Sequence, residues 1–99
     1  MNDAVEFRSN MPSGILMNGA AKVYLQGSGK VQSIGNGITM WGSTRLELTG
    51  HPMIRAGANN FTGQFTHYGS GINIVSPTCK VILKGGSIGT KASPDTTVS

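Results

Sequence analysis

Cys79, His67, His51 and Asp95 are the residues of this chain with the most reactive side chains. A thiol beside an imidazole, with a carboxylate to orient the ring, makes a nucleophile when all three lie within hydrogen-bond reach. Cys79, His67 and Asp95 compose such a set on paper, but their surroundings argue against it. Cys79 alternates with Val81 and Leu83, which reads as a small buried hydrophobe. Asp95 stands in a Ser/Thr-rich stretch at the end of the chain. Cys79 is also the single cysteine, so no disulfide forms within the chain and no cysteine-paired zinc finger can be built. Gly27-Ser28-Gly29-Lys30 has the residue types of a phosphate-binding loop. It lacks the Gly-x-x-x-x-Gly-Lys-Ser/Thr spacing and the helix that would follow, so it reads as a turn. The expectation is a chain with no catalytic residues, one that is not an enzyme.

The elements around these residues are set by composition and repetition. A chain of 99 residues makes one domain with a modest core, which often gains stability from a partner. Charged residues contribute 12%, and the eight basic ones (Arg8, Lys22, Lys30, Arg45, Arg55, Lys80, Lys84, Lys91) are scattered singly against four acidic ones. Nucleic-acid binders usually gather such charges on one patch with interleaved aromatics, so specific nucleic-acid binding is not expected. Residues 1–13 carry Asp3, Glu6 and Arg8 and lack the apolar stretch of a signal peptide. No run approaches the roughly 20 apolar residues that span a bilayer. The reading is a protein made in the cytoplasm, carried elsewhere only by another component.

Three copies of one pattern run along the chain. Gly14-Ile15 is followed by Gly19, Val23, Leu25 and Gly27; Gly37-Ile38 is followed by Gly42, Leu46, Leu48 and Gly50, at the same offsets. A third copy starts at Gly71-Ile72, with Ser76 in the place of Gly19 and with Val81, Leu83 and Gly85 each one residue late. One inserted residue near Pro77, as in a β-bulge, accounts for the shift. Further echoes follow at Val31 and Gly35, Ile54 and Gly57, and Ile88 and Gly89. Within each copy the apolar residues alternate with polar ones, the period of a half-buried strand. Glycine interrupts every window in which a helix could run. An all-β fold is expected, a single domain spanning 1–99, with repeats over approximately 14–36, 37–58 and 71–90. The connection 59–70 is longer and holds Phe61, Phe65, His67 and Tyr68. It reads as a loop or extra hairpin whose rings cover an edge of the core, or as the projecting end of the molecule. The polar tail, 91–99, is expected to fray or to lie over the surface. Trp41, just before the second strand pattern, reads either as a core cover or as part of a docking surface.

The stretch from Gly42-Ser43 through Leu46 and Leu48 to Gly50-His51-Pro52-Met53-Ile54-Arg55-Ala56-Gly57 resembles the repeat of the PAAR family, the spike-tip proteins of contractile phage tails and type VI secretion machines. Met53 and Ile54 depart from that family's Pro-Ala-Ala run, while Arg55 and Gly57 keep their places. Ser76-Pro77-Thr78 through Gly85-Gly86 resembles the opening of a further copy. Gly19 to Gly35 is a weaker one without Gly-x-Pro, so the likeness covers roughly 14–90.

The resemblance implies a small cone of three degenerate β-hairpin repeats with pseudo-threefold symmetry. One copy would cap and sharpen the end of a trimeric β-helical spike and meet the target outer membrane in passing. Its place would be the tip of a phage tail or of a secretion spike. Family members often hold a metal near the vertex with three histidines and a cysteine. Here the set is incomplete: His67, Cys79 and His51 are the only candidate ligands, and a closed tetrahedral site for zinc, or one for iron, needs a fourth. His67 matches the family's position, His51 fills the variable slot of Gly-x-Pro, and Cys79 shares a face with the core. The expectation is that no cofactor is bound. The alternative function is a carbohydrate- or fibre-associated binding module of β-repeats that uses Phe61, Phe65, Tyr68 and Trp41.

Overall fold

A computed structural model describes residues 6–9, 13–59, 62–92 and 96–97. They form strands, turns and connections, with no helix among the described residues. The all-β class and the three repeats are therefore both present. Each full repeat is one coil of three short strands. The first coil holds β2 (Ser13–Met17), β3 (Lys22–Leu25) and β4 (Lys30–Ser33). The second holds β5 (Asn36–Met40), β6 (Arg45–Leu48) and β7 (Met53–Ala56). The third holds β8 (Ile72–Ile74), β9 (Lys80–Leu83) and β10 (Ser87–Gly89). β1 (Glu6–Ser9) precedes them and β11 (Thr96–Thr97) follows.

The strands pair between repeats and in parallel. One sheet has the order β2-β5-β8, a second β3-β6-β9 and a third β1-β4-β7-β10-β11. The resemblance implied hairpins, in which a strand turns back on its chain neighbour. Here each strand instead lies beside its counterpart in the next coil, and β10 with β11 is the one antiparallel pair of named strands. The cause is at the corners. In the first two coils a glycine follows each four- or five-residue strand and bends the chain onto the next face without reversing it, so the pleat's free hydrogen bonds are met one coil later. Gly50 shows the requirement. Its φ is +80°, and a Cβ there would stand 3.0 Å from the carbonyl oxygen of Gly27 directly beneath it. Only a residue without a side chain fits both the backbone and the stack.

Register follows the apolar pattern. Ile15 lies on Ile38 and Ile38 on Ile72; Val23 lies on Leu46 and Leu46 on Val81; Val31 lies on Ile54 and Ile54 on Ile88. These inward residues fill the prism, and Met17, Leu25, Val31, Ile38, Met40, Leu46, Leu48 and Ile54 are its buried core. The residue inserted in the third copy sits in the corner turn between β8 and β9 and makes no bulge in a strand. There the Oγ of Ser76 accepts a bond from the Gly42 N–H at 2.9 Å, and the Oγ1 of Thr78 donates to the Gly42 carbonyl at 2.7 Å. The shift is undone at the next corner, where Gly86 alone (φ +96°) connects Gly85 to Ser87 while His51-Pro52 connects Gly50 to Met53.

Candidate functional site: the open end of the coil

Three features were open to functional roles: the candidate metal ligands, the aromatic connection and the ends of the coil. The ligands are set apart by the triangular section. Cys79 lies at the corner between β8 and β9, His51 at the corner between β6 and β7, and His67 in the connection between β7 and β8. Each corner of the prism thus holds one of them. The Cys79 thiol is 3.4 Å from both Thr44 Oγ1 and the carbonyl of Gly42. His51 is exposed and its backbone N–H bonds the Gly27 carbonyl; the Nδ1 of His67 lies 3.0 Å from Thr66 Oγ1. Among the described residues no three of His, Cys, Asp or Glu gather at one point.

The long connection folds back over the outer face of the sheet that contains β4 and β7. Gln32 and Arg55 point outward from those strands. Gln32 is nonetheless buried, and its Nε2 donates to the Asn59 carbonyl of the connection at 2.7 Å. The Arg55 guanidinium lies 4.4 Å from the centre of the Phe65 ring, and Ala58 and Phe65 form an antiparallel bridge. The segment is thus a cover. The aromatic set proposed for a binding module is not brought together here. Phe65 packs on Arg55, Tyr68 is 77% exposed with Lys91 over its ring, and Trp41 sits beyond the far end of β5 from the connection. Phe61 lies outside the described residues, as does Asp95.

The end of the third coil is different in kind. Ile74 and Leu83 occupy the inward register of Met40 and Leu48. In the second coil those positions are fully buried; in the third, Ile74 is 51% and Leu83 40% exposed, with Val75 beside them at 42%. Among the described residues nothing stacks on them, so the section of the core is open there. The first coil does not share this exposure, since Met17 and Leu25 are buried. The backbone is open as well. The N–H groups of Lys80 and Lys84 donate back to Thr44 and Leu48, so alternation along β9 turns those of Val81 and Leu83 to the open side. β8 and β9 are sheet edges there, whereas the third sheet is closed by β11, which pairs with Ile88 and Ser87. Part of the polar tail is therefore a strand. Unpaired parallel edges around an apolar section form a template for further strands. Sequence reading placed Leu83 in the core and passed over Ile74 and Val75. The available signal was that the third copy is the last of the three that these 99 residues hold.

No helix among the described residues is long and apolar enough to cross a membrane. Comparison with known protein families, with curated proteins and with solved structures found no match to this chain.

Proposed function

We propose that this chain is a structural tip protein. One copy caps the end of a trimeric β-helical spike, as the likeness of residues 42–57 to the PAAR repeat suggests, in a contractile tail or secretion machine. The observation that carries the reading is the open third coil. Ile74, Val75 and Leu83 are solvent-exposed on one end of a three-sided prism whose β8 and β9 edges carry no further strand among the described residues. A trimeric β-helix ends in a three-sided apolar section with unpaired strands of its own. A single chain with three faces matches that section where an ordinary monomer does not. Docking extends the sheets and buries both sections, and the partner's binding adds to the stability of a small domain. Apolar burial and strand continuation drive the association, so it persists from low to high salt. The chain carries no catalytic duty in this reading.

The test is native mass spectrometry of the chain mixed with its trimeric spike fragment at low and at high salt. The expected result is one chain per three spike subunits at both. An Ile74→Asp, Leu83→Asp double variant, folded by circular dichroism, is expected to lose the complex. A 3:3 complex, a self-trimer of this chain, dissociation by moderate salt or full binding by the double variant would each reject capping.

A further inference from the structure

The singly scattered cations of the sequence are not scattered in space. The repeat places Lys22 beside Arg45 and Arg45 beside Lys80, on three adjacent strands of one sheet. Neighbouring strands are about 4.8 Å apart, so the three form a ladder about 10 Å long up one side of the prism. Lys84 lies on the same face, its Nζ 3.5 Å from Glu47 Oε1. Glu47 also lies 3.7 Å from the Arg45 guanidinium and is the one carboxylate in the outward positions of these strands. Four of the chain's eight basic residues thus share one face with a single acid. The ladder borders a shallow cleft of about 420 Å³ that also takes in Tyr24, Ser43 and Thr78. Tyr24 is 44% exposed, and Ser43 and Thr78 sit on the corner turns with exposed side chains.

From this arrangement we infer that the outer face of β3-β6-β9 binds an acidic carbohydrate, its carboxylate, sulfate or phosphate groups meeting the Lys22–Arg45–Lys80 ladder. The cations supply charge-assisted bonds to anionic oxygens, with the Arg45 fork able to take two at once. Tyr24 offers a ring face for the apolar side of a sugar; Ser43 Oγ donates to Thr78 Oγ1 at 3.1 Å and Thr78 Oγ1 to the Gly42 carbonyl, so these two oxygens meet sugar hydroxyls as acceptors. A nucleic acid is a poorer fit. Its affinity comes mainly from releasing counterions at many phosphates, and three rungs reach few of them. An extended acidic peptide gains most by pairing with a strand edge, and this surface is the face of a sheet. The face runs along the side of the prism, so docking at the open end leaves it accessible. The inference stands independently of the capping reading.

The experiment is an amide chemical-shift titration of the full chain with three hexasaccharides, one sulfated, one of uronic acid and one neutral. Shifts are expected at Lys22–Tyr24, Ser43–Glu47 and Thr78–Ile82, with the charged sugars binding about tenfold or more tightly than the neutral one. Raising salt from about 50 mM to about 300 mM is expected to weaken only the charged sugars, by about tenfold, because the ladder is exposed to screening. A Lys22→Gln, Lys80→Gln double variant, both residues exposed, is expected to lose about tenfold in affinity for them. The salt arm needs no variant and stands if the double variant does not fold. Equal binding of the neutral sugar, absence of shifts on this face, salt-independent binding, or tighter binding of an acidic peptide or of a single-stranded DNA oligonucleotide would overturn the proposal.

Discussion

Leu46 and Leu83 are the same residue type in strands of the same sheet, both facing the axis of the prism, and their surroundings differ by one coil. Leu46 has a coil on either side and is fully buried; Leu83 has a coil on one side only. Truncation should report the difference. Leu46→Ala removes packed methyl groups and leaves a cavity that two neighbouring coils hold open, at a cost of about 2–5 kcal/mol. Leu83→Ala should cost about 1–2 kcal/mol, since much of the side chain is already in water. Urea denaturation of the two variants measures the contrast. Equal losses would mean that the third coil is covered in solution. The candidate ligands teach the same lesson. His51, His67 and Cys79 do not come together, because each belongs to a different corner and the length of a strand separates one corner from the next.

Among the elements, stability should be graded along the coil axis. β5, β6 and β7 are each paired on both sides, while β8 and β9 have one partner strand each. Opening an edge strand breaks one ladder, and opening a central one breaks two with the core beneath them. Amide hydrogen exchange is therefore expected to be slowest at Ile38, Leu46, Leu48 and Ile54. It should be markedly faster at Val81 and Leu83, whose N–H groups face the open end. Under the capping proposal, a trimeric β-helical spike fragment should slow exchange at Val81 and Leu83 and leave the outer face of the connection unchanged. Uniform protection across the three coils would contradict the open-end description. The connection itself belongs to the sheet it covers, since Gln32 to Asn59 and Arg55 to Phe65 tie it to β4 and β7.

At the scale of the molecule, the chain is a short solenoid, in which stability approximates a sum over coils and their interfaces. That gives a direct test. A second copy of residues 34–56 inserted after Ala56 adds one full coil of the 23-residue period seen between Ile15 and Ile38. It should fold, and its denaturant midpoint and m-value should both rise, because another buried coil is added. A copy lengthened by one residue inside its second strand, between Leu46 and Glu47, should lose that gain, since a slip within a strand turns the following inward side chain toward solvent, whereas a residue added at a corner is absorbed, as between β8 and β9. Equal behaviour of the two insertions, read by denaturation and circular dichroism, would refute the coil geometry. The four cations on the β3-β6-β9 face are a property of this scale as well, since 23 residues of chain separate Lys22 from Arg45 and stacking makes them neighbours.

The sequence alone determined the class of the fold, the number of repeats and the inward residues. These depend on local quantities: the period of two in Val23 and Leu25 or in Leu46 and Leu48, and the glycines at which a chain can turn. It also located the odd residue of the third copy near Pro77, though not its accommodation in a turn. Which strand each strand would pair with was not local. An alternating strand bounded by glycines suits a hairpin and a parallel coil equally, and only the angle taken at corners such as Gly50 separates the two. The same angle decided the rest. It sent His51, His67 and Cys79 to three corners, laid the aromatic connection over Gln32 and Arg55, stacked Lys22, Arg45 and Lys80 into a ladder, and left Ile74, Val75 and Leu83 at an end with no coil above them. Gln32 meets Asn59 across 27 positions and Lys22 lies beside Arg45 across 23, and such meetings depend on how successive coils stack.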